Sequence, residues 1–492
     1  MPPIRRLVAH PAAGIAVLIF VILMAGSGGY GYHRDELYFL AAGDHLAAGY
    51  PDQGPMTPLI AGAMDTLAPD SLTVLRLPSA LAIGALVLVT GLLAAELGAG
   101  RRGQAIATGC AAVGAVFMFT GHLLSTTTFD LLAWTVLTYI VVRAVRRGQD
   151  RLWLPAGFVC GLALLNKPLV AFLLGGMLAG VLISGPRSLL RSRWVWAGAA
   201  TAVLMWSPWL IWQAGRGWPQ FEVAGNIAAG GSTSSESRWA FLPFQLLLVS
   251  PFLAPVWIAG LVRILRDRAL RPLRFLGWTW IVLAATFIAL GGKPYFIAGL
   301  LPLMLAAGAA PVDRWLDRGR ARVRQVALAV AIGVSAVVAA VVSLPLLPTD
   351  RLDPIIAVNE DVGNTIGWPE FARTVAGVRD ATRGGDHAII FTANYGEAGA
   401  IDRYGPDLGL PRAYSGHNGY ADWGVPPHSD VPVIAIGFGR GRLRRSFSDC
   451  SMRARIDVEG GLETEEDGSR VWVCREVRAE WSELWPKLRV LG

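Results

Sequence analysis

The stretch "GYHRDELYF" (31–39) sets four ionisable side chains, His33, Arg34, Asp35 and Glu36, directly after an apolar run. Two adjacent carboxylates beside a cation are the parts of a general base and its support. A carboxylate at a membrane boundary is costly without partners, so function is the default reading. Asp130, in "GHLLSTTTFDLLAW", stands at the start of another apolar run and offers a second acid. The bland alternative is that it complements the helix dipole there. The lysines are Lys167, Lys293 and Lys487, with arginine at every other basic position. Lys167 in "LLNKPLV" and Lys293 in "GGKPYFI" each precede a proline at the end of an apolar run. Either one alone fits interfacial snorkelling. Together they read as point-charge ligands for an anionic headgroup, typically phosphate. These parts suit one chemistry: cations stabilise a lipid phosphate as its bond to a sugar breaks, and a carboxylate takes the proton of an acceptor hydroxyl. The turn-rich "YPDQGPMTPLI" (50–60) can shape a groove beside them.

Positioning these residues falls to a membrane protein. The chain of 492 residues is 53% apolar and only 16% charged. Its apolar residues come in long runs, so the expected fold is a polytopic α-helical membrane protein. About eleven spans are expected, near 11–30, 72–97, 104–121, 129–145, 152–166, 169–185, 194–212, 243–262, 275–291, 295–310 and 325–345. The first is read as uncleaved. Several runs are shorter than the usual ~20 residues.

Charge assigns the sides. Arg5 and Arg6, Arg101 and Arg102, Arg143 to Arg151, Arg187 to Arg193, Arg263 to Arg274 and Arg314 to Arg324 fall in alternate connecting segments. The intervening segments hold only Arg34, Arg76, Lys167, Arg216, Arg238 and Lys293. The positive-inside rule puts the first set, and the N-terminus, in the cytoplasm. The net charge of +8 is therefore topogenic, and nucleic acid is excluded as a partner. Loops 31–71 and 213–242 and everything after about 346 are then external. Gly/Ser-rich 228–237 reads as a mobile loop. Past 346, "HAIIFTANYG", "VPVIAIGFG" and "RVWVCREV" read as strands of a small α/β domain. The division is 1–345, a transmembrane catalytic domain, and 346–492, an extracytoplasmic α/β domain. External placement makes a Cys450–Cys474 disulfide the expected pairing, with Cys110 and Cys160 left in the core.

In order along the chain, "HRDELYFLAAGDHLAAGYPDQGPMTPLIA" (33–61), "TTFDLLAW" (127–134), "GLALLNKPLVAFLL" (161–174), "GGKPYFIAGLLPLMLAAGA" (291–309) and "ANYGEAGAIDRYGPDLGLPRAYSGHNGYADWG" (393–424) resemble one superfamily. This is the GT-C glycosyltransferases, whose hallmark is an Asp-Glu pair in the first external loop. The resemblance is to the dolichyl-phosphate-mannose–protein mannosyltransferases and the lipid A aminoarabinose transferases. It implies an inverting transfer from a polyprenyl-phosphate sugar on the outer face of a bacterial cytoplasmic membrane, with no cofactor and no bound metal. Carried over, Asp35 is the general base or orients the acceptor, Glu36 supports it, and Asp130 is the second acid. Arg34 and Lys293, with Tyr295 and Lys167, hold the donor phosphate. The family's usual loop pattern has two prolines where this chain has Met56-Thr57-Pro58.

Tyr395 and Glu397, in "ANYGEAGAIDRYG", either lie at the substrate mouth or belong to a turn and helix cap. Mannose is the sugar favoured, with arabinose-type sugars and hexosamines open. The acceptor is a protein, lipid, glycan or secreted natural product. A transporter or flippase of lipid-linked sugars is the competing reading. Such proteins favour internal repeats and midplane charges, and the sequence shows neither.

Overall fold

In the computed structural model, residues 11–230, 237–458 and 461–492 are described. Arg5, Arg6 and most of the Gly/Ser-rich 228–237 segment lie outside them.

The first two thirds of the chain form a helical bundle. Six helices are long and apolar enough to cross a membrane: Leu72–Glu96, Thr126–Arg147, Arg193–Ala214, Arg268–Leu290, Pro294–Leu316 and Ala321–Ser343. Two bent pairs, Arg101–Ala112 with Ala115–His122 and Arg238–Val249 with Ala254–Arg266, raise the number to eight. This is fewer than the eleven expected. The physical reason is length: Ala12–Gly26, Trp153–Asn166 and Val170–Ser184 are apolar but fall short of ~20 residues. Close packing compensates. The Trp153–Asn166 helix meets Arg193–Ala214 with backbones touching, since a Cβ on Gly157 would lie 2.1 Å from the Gly198 carbonyl.

The bundle's two ends differ. At one, Glu96 takes Arg143 and Arg147, and Arg102 takes Asp313 and Asp317. Arg263 donates to the Leu97 carbonyl beside them. At the other stand the first loop, Asp130, Lys167 and Lys293. Arg102, Arg143, Arg147 and Arg263, from three of the arginine-bearing segments, thus gather at one end.

Residues 389–477 carry a five-stranded sheet of order β2-β1-β3-β5-β4. Its strands are β1 (Ile389–Thr392), β2 (Ala413–Ser415), β3 (Val433–Ile436), β4 (Phe447–Arg455) and β5 (Arg470–Val477). β1 runs parallel to β2 and β3; β5 is antiparallel to β3 and β4. Cys450 and Cys474 are register partners on β4 and β5 and are joined as a disulfide. β1, β3 and β5 coincide with the apolar strands read from the sequence. β2 is only three residues long, and β4 is a polar edge strand, so neither carries an apolar run.

The core crosses the division near residue 346. Tyr32, Leu37, Tyr38 and Phe39 of the first loop are buried in one cluster with Trp368, Phe371, Ile390, Ile401 and Val473. The Arg34–Asp44 helix is thus held between the bundle and the sheet-bearing segment.

Candidate active site

The Arg34–Asp44 helix begins with a capping box. The backbone N–H of Asp35 donates to His33 Nδ1 at 3.2 Å, and the His33 backbone N–H donates to Glu36 at 2.8 Å. Neighbouring helical positions point ~100° apart, and the two acids part company accordingly.

Glu36 turns inward and is fully buried. Arg76 grips both its oxygens, at 2.9 and 2.8 Å, and the Leu124 backbone N–H donates at 2.8 Å. Burial works against ionisation of Glu36. The Arg76 charge and these bonds outweigh it and hold the carboxyl below its usual range. Arg76 also donates to the carbonyls of Ser27, Gly29 and Gly31. Glu36 therefore locks the first loop to the bundle and has no lone pair to spare for substrate.

Asp35 faces a cavity of about 550 Å³. Tyr395 donates its hydroxyl to Asp35 Oδ1 at 2.8 Å. The polar end of the cavity is lined by His33, Arg34, Asp35, Lys293, Tyr295, Asp361 and Tyr395. The other end is apolar, with Val116, Phe119, Leu248, Val338 and Val342 among its walls. Arg34 lies 4.9 Å over the Tyr395 ring and is ion-paired with Glu465. Burial, then the neighbouring Lys167 charge, bring the Lys293 amine down to about 8, against the pull of Asp35 and Asp361. His33 approaches Asp361 at 3.8 Å. Burial opposes a charged His33, but Asp361 and Asp35 overcome it and raise its pKa. Asp361 moves the opposite way because of His33. Each charge therefore stabilises the other.

The remaining expected residues lie further off. Lys167 is not in the cavity wall. It stands behind it, 5.5 Å over the Tyr295 ring and 5.4 Å over Phe296. Burial lowers its pKa while Asp130 and Asp35 raise it. Asp130 is buried and accepts from Trp134 Nε1 at 3.1 Å. It sits on the Lys167 side, away from the cavity lining. Glu397 does not lie at the mouth. It is buried as the third residue of the Tyr395–Tyr404 helix, in a capping box with Asn394, and this is the cap alternative. Tyr395, at the first position of the same helix, does reach the cavity.

Four participants escaped the sequence reading. Asp361 and Glu465 lie in polar stretches with no distinguishing motif. His33 stands in the charged cluster of the first loop, but its pairing with Asp361 carries no sequence signal. Arg76 did carry a signal, as a charge inside an apolar helix. A further buried acid, Asp52, accepts from the Tyr38 hydroxyl at 2.8 Å and from Asn418 at 3.2 Å. Burial, with the Asp35 charge adding, raises its carboxyl to about 7. Among the described residues no group of three or more His, Cys, Asp or Glu side chains is placed to hold a metal ion.

Residues 52–212 match the family described as dolichyl-phosphate-mannose-protein mannosyltransferase. That stretch includes Asp130 and Lys167 but not Asp35. Two undecaprenyl phosphate-alpha-4-amino-4-deoxy-L-arabinose arabinosyl transferases are also similar. The one from Pseudomonas aeruginosa is 29% identical over 37% of this chain and 35% of its own length. The one from Pseudomonas fluorescens is 32% identical over 36% of this chain and 33% of its own length. The match thus spans about a third of each relative. Among solved structures, ArnT from Cupriavidus metallidurans in the apo state aligns over 94% of this chain and 97% of its own, with TM-score 0.55 and 15% identity. The Archaeoglobus fulgidus oligosaccharyltransferase aligns over 80% of this chain and 62% of its own, with TM-score 0.52 and 13% identity. In sequence over residues 52–212, and in fold over nearly its whole length, the chain resembles the GT-C polyprenyl-phosphate-sugar glycosyltransferases, as its motifs implied.

Proposed function

We propose that the chain moves a sugar from a polyprenyl-phosphate donor to an acceptor hydroxyl, with inversion, at the end of the bundle that carries the cavity. One observation supports this most: a single cavity joins a carboxylate, Asp35, to cations, Lys293 and Arg34, and continues into an apolar wall. A donor with a charged head and a hydrocarbon tail needs that combination. In this reading the acceptor oxygen forms a bond to the anomeric carbon as the bond from that carbon to the phosphate oxygen breaks. Asp35 takes the acceptor's proton, and polyprenyl phosphate departs with the electron pair. Lys293 and Arg34, with Tyr295 beside them, stabilise the phosphate charge, and preorganised charge of this kind is commonly the largest catalytic term. Lys167, behind Tyr295, supports the site's positive potential, and Asp130 balances Lys167. The proposed chemistry calls for no metal, because side chains supply the positive charge.

Our reading favours an arabinose-class sugar over mannose; the names of the two relatives, both for 4-amino-4-deoxy-L-arabinose, support it. The arginine pattern puts the cavity on the outer face and the N-terminus in the cytoplasm. The acceptor stays as a hydroxyl on a protein, lipid, glycan or secreted natural product. The test is to supply the purified chain with a panel of polyprenyl-phosphate sugars, including mannose and aminoarabinose, and to follow release of polyprenyl phosphate. Release from one donor is expected. Movement of intact donor across vesicles with no release from any donor would favour the flippase reading and overturn this one.

A further inference from the structure

We propose that Tyr395 is the positioning residue for Asp35, so that the sheet-bearing C-terminal segment completes the active site. This rests on the reading of Asp35 as the base. The two residues are 360 positions apart, yet the Tyr395 hydroxyl is the only side-chain donor found on Asp35 among the described residues, at 2.8 Å to Oδ1. Oδ2 has no such partner and is left for the acceptor hydroxyl. A carboxylate held through one oxygen presents the other in a fixed plane. A carboxylate without that bond rotates about its Cβ–Cγ bond and spends only part of its time aimed at the substrate.

The phenol is itself pinned from both halves of the chain. Its ring lies under the Arg34 guanidinium and against the Tyr38 ring, with centroids 4.8 Å apart. On another side it meets the His417 ring at 4.9 Å. Tyr38 is fixed in turn, donating to Asp52 and accepting from the Gly419 backbone N–H at 3.0 Å. Asn394 caps the helix that Tyr395 begins. The hydroxyl thus has little freedom except to point at Asp35. Burial and the Asp35 charge keep it protonated across the working pH range, so it remains a donor.

The consequence falls on the chemical step. Without the hydroxyl the carboxylate loses its fixed plane, while the cations that hold the donor are untouched. Tyr395→Phe should therefore lower kcat about 10- to 100-fold, with donor KM unchanged. Replacing Tyr395 by 3,5-difluorotyrosine keeps the shape and makes the phenol more acidic, so it gives up its proton, and its bond to Asp35, at lower pH, and the alkaline limb of the kcat profile should move down. A merely structural tyrosine would show neither the split between kcat and KM nor the moved limb. Tyr414→Phe, on β2 away from the cavity, is the control and should behave as wild type.

Asp35→Asn measured in the same membranes separates the two claims. If Asp35→Asn retains full transfer, the reading of Asp35 fails and this inference with it. If Asp35→Asn is inactive while Tyr395→Phe keeps wild-type kcat, the inference alone is overturned. If Tyr395→Phe is poorly folded, the difluorotyrosine chain decides: an unmoved alkaline limb overturns the inference.

Discussion

Changing Glu36 to glutamine should cost stability, whereas the same change at the adjacent Asp35 should cost activity. Glu36 is fully buried and accepts four hydrogen bonds, two from an equally buried Arg76. Removing one partner of a buried ion pair costs about 3–5 kcal/mol, because the other charge is left uncompensated. Arg76 keeps three carbonyl acceptors, which places the loss near the lower end, about 3 kcal/mol. Unfolding entropy is about 2.1 cal/mol/K per residue, or about 1 kcal/mol/K for the 492-residue chain, so a fall of about 3 °C is expected. Asp35 is only half-buried and has one side-chain donor, so Asp35→Asn should shift the melting point by about 1 °C at most. The assay is thermal unfolding of detergent-solubilised protein followed by tryptophan fluorescence, with transfer measured on the same samples. The wild-type contribution also has a pH signature. The folded pKa of Glu36 is depressed, so its contribution is present above 4.5 and is lost as pH falls through the folded value. Glu36→Gln should lack that dependence. A Glu36→Gln chain with a wild-type melting point and abolished transfer would refute the assignment of Glu36 to structure.

Lys293→Met should raise donor KM with little effect on folding. In the wild type, donor KM should climb as pH passes about 8, where Lys293 loses its proton, and the variant should not show this rise. Asp52 is raised to about 7, so the folded state binds its proton more tightly than the unfolded state. Its favourable contribution is present below 3.8 and is lost as pH rises from there to about 7. Asp52→Asn should flatten urea-unfolding stability across that window, and an unchanged slope would count against the buried acid. The Cys450–Cys474 bond closes a 24-residue separation, so Cys450→Ala with Cys474→Ala should lower stability by about 3 kcal/mol. Free thiols at Cys450 and Cys474, beside those of Cys110 and Cys160, in non-reduced mass spectra of the wild type would contradict the bond.

Apolar runs made the bundle legible, because hydrocarbon imposes a composition that no later contact can disguise. The strands β1, β3 and β5 were legible for a similar reason, being buried on both faces or nearly so. Helix lengths were less so: 14 apolar residues at Trp153–Asn166 look like a span until packing against Arg193–Ala214 is seen. The Asp-Glu pair was visible as a cluster, and its inequality was not. Which neighbour faces the cavity depends on where Arg76 sits, 40 residues on. Tyr395 was legible as a candidate for the substrate mouth, but its bond to Asp35 was not; Glu465 and Asp361 reach the site only through the tertiary fold, so no local pattern marks them. The boundary near residue 346 tracks composition, but burial of Tyr38 and Phe39 among sheet residues shows that the first loop shares its core with the C-terminal segment.

The central claim is that Asp35, at the polar end of a cavity that also holds Lys293 and Arg34, carries the proton-transfer step of sugar transfer. The most direct test compares wild type and Asp35→Asn, purified at matched folding, for release of polyprenyl phosphate from the preferred donor with acceptor present. Loss of release by about 100-fold or more, with donor binding retained, is the predicted result. Undiminished release by the Asp35→Asn chain would contradict the account.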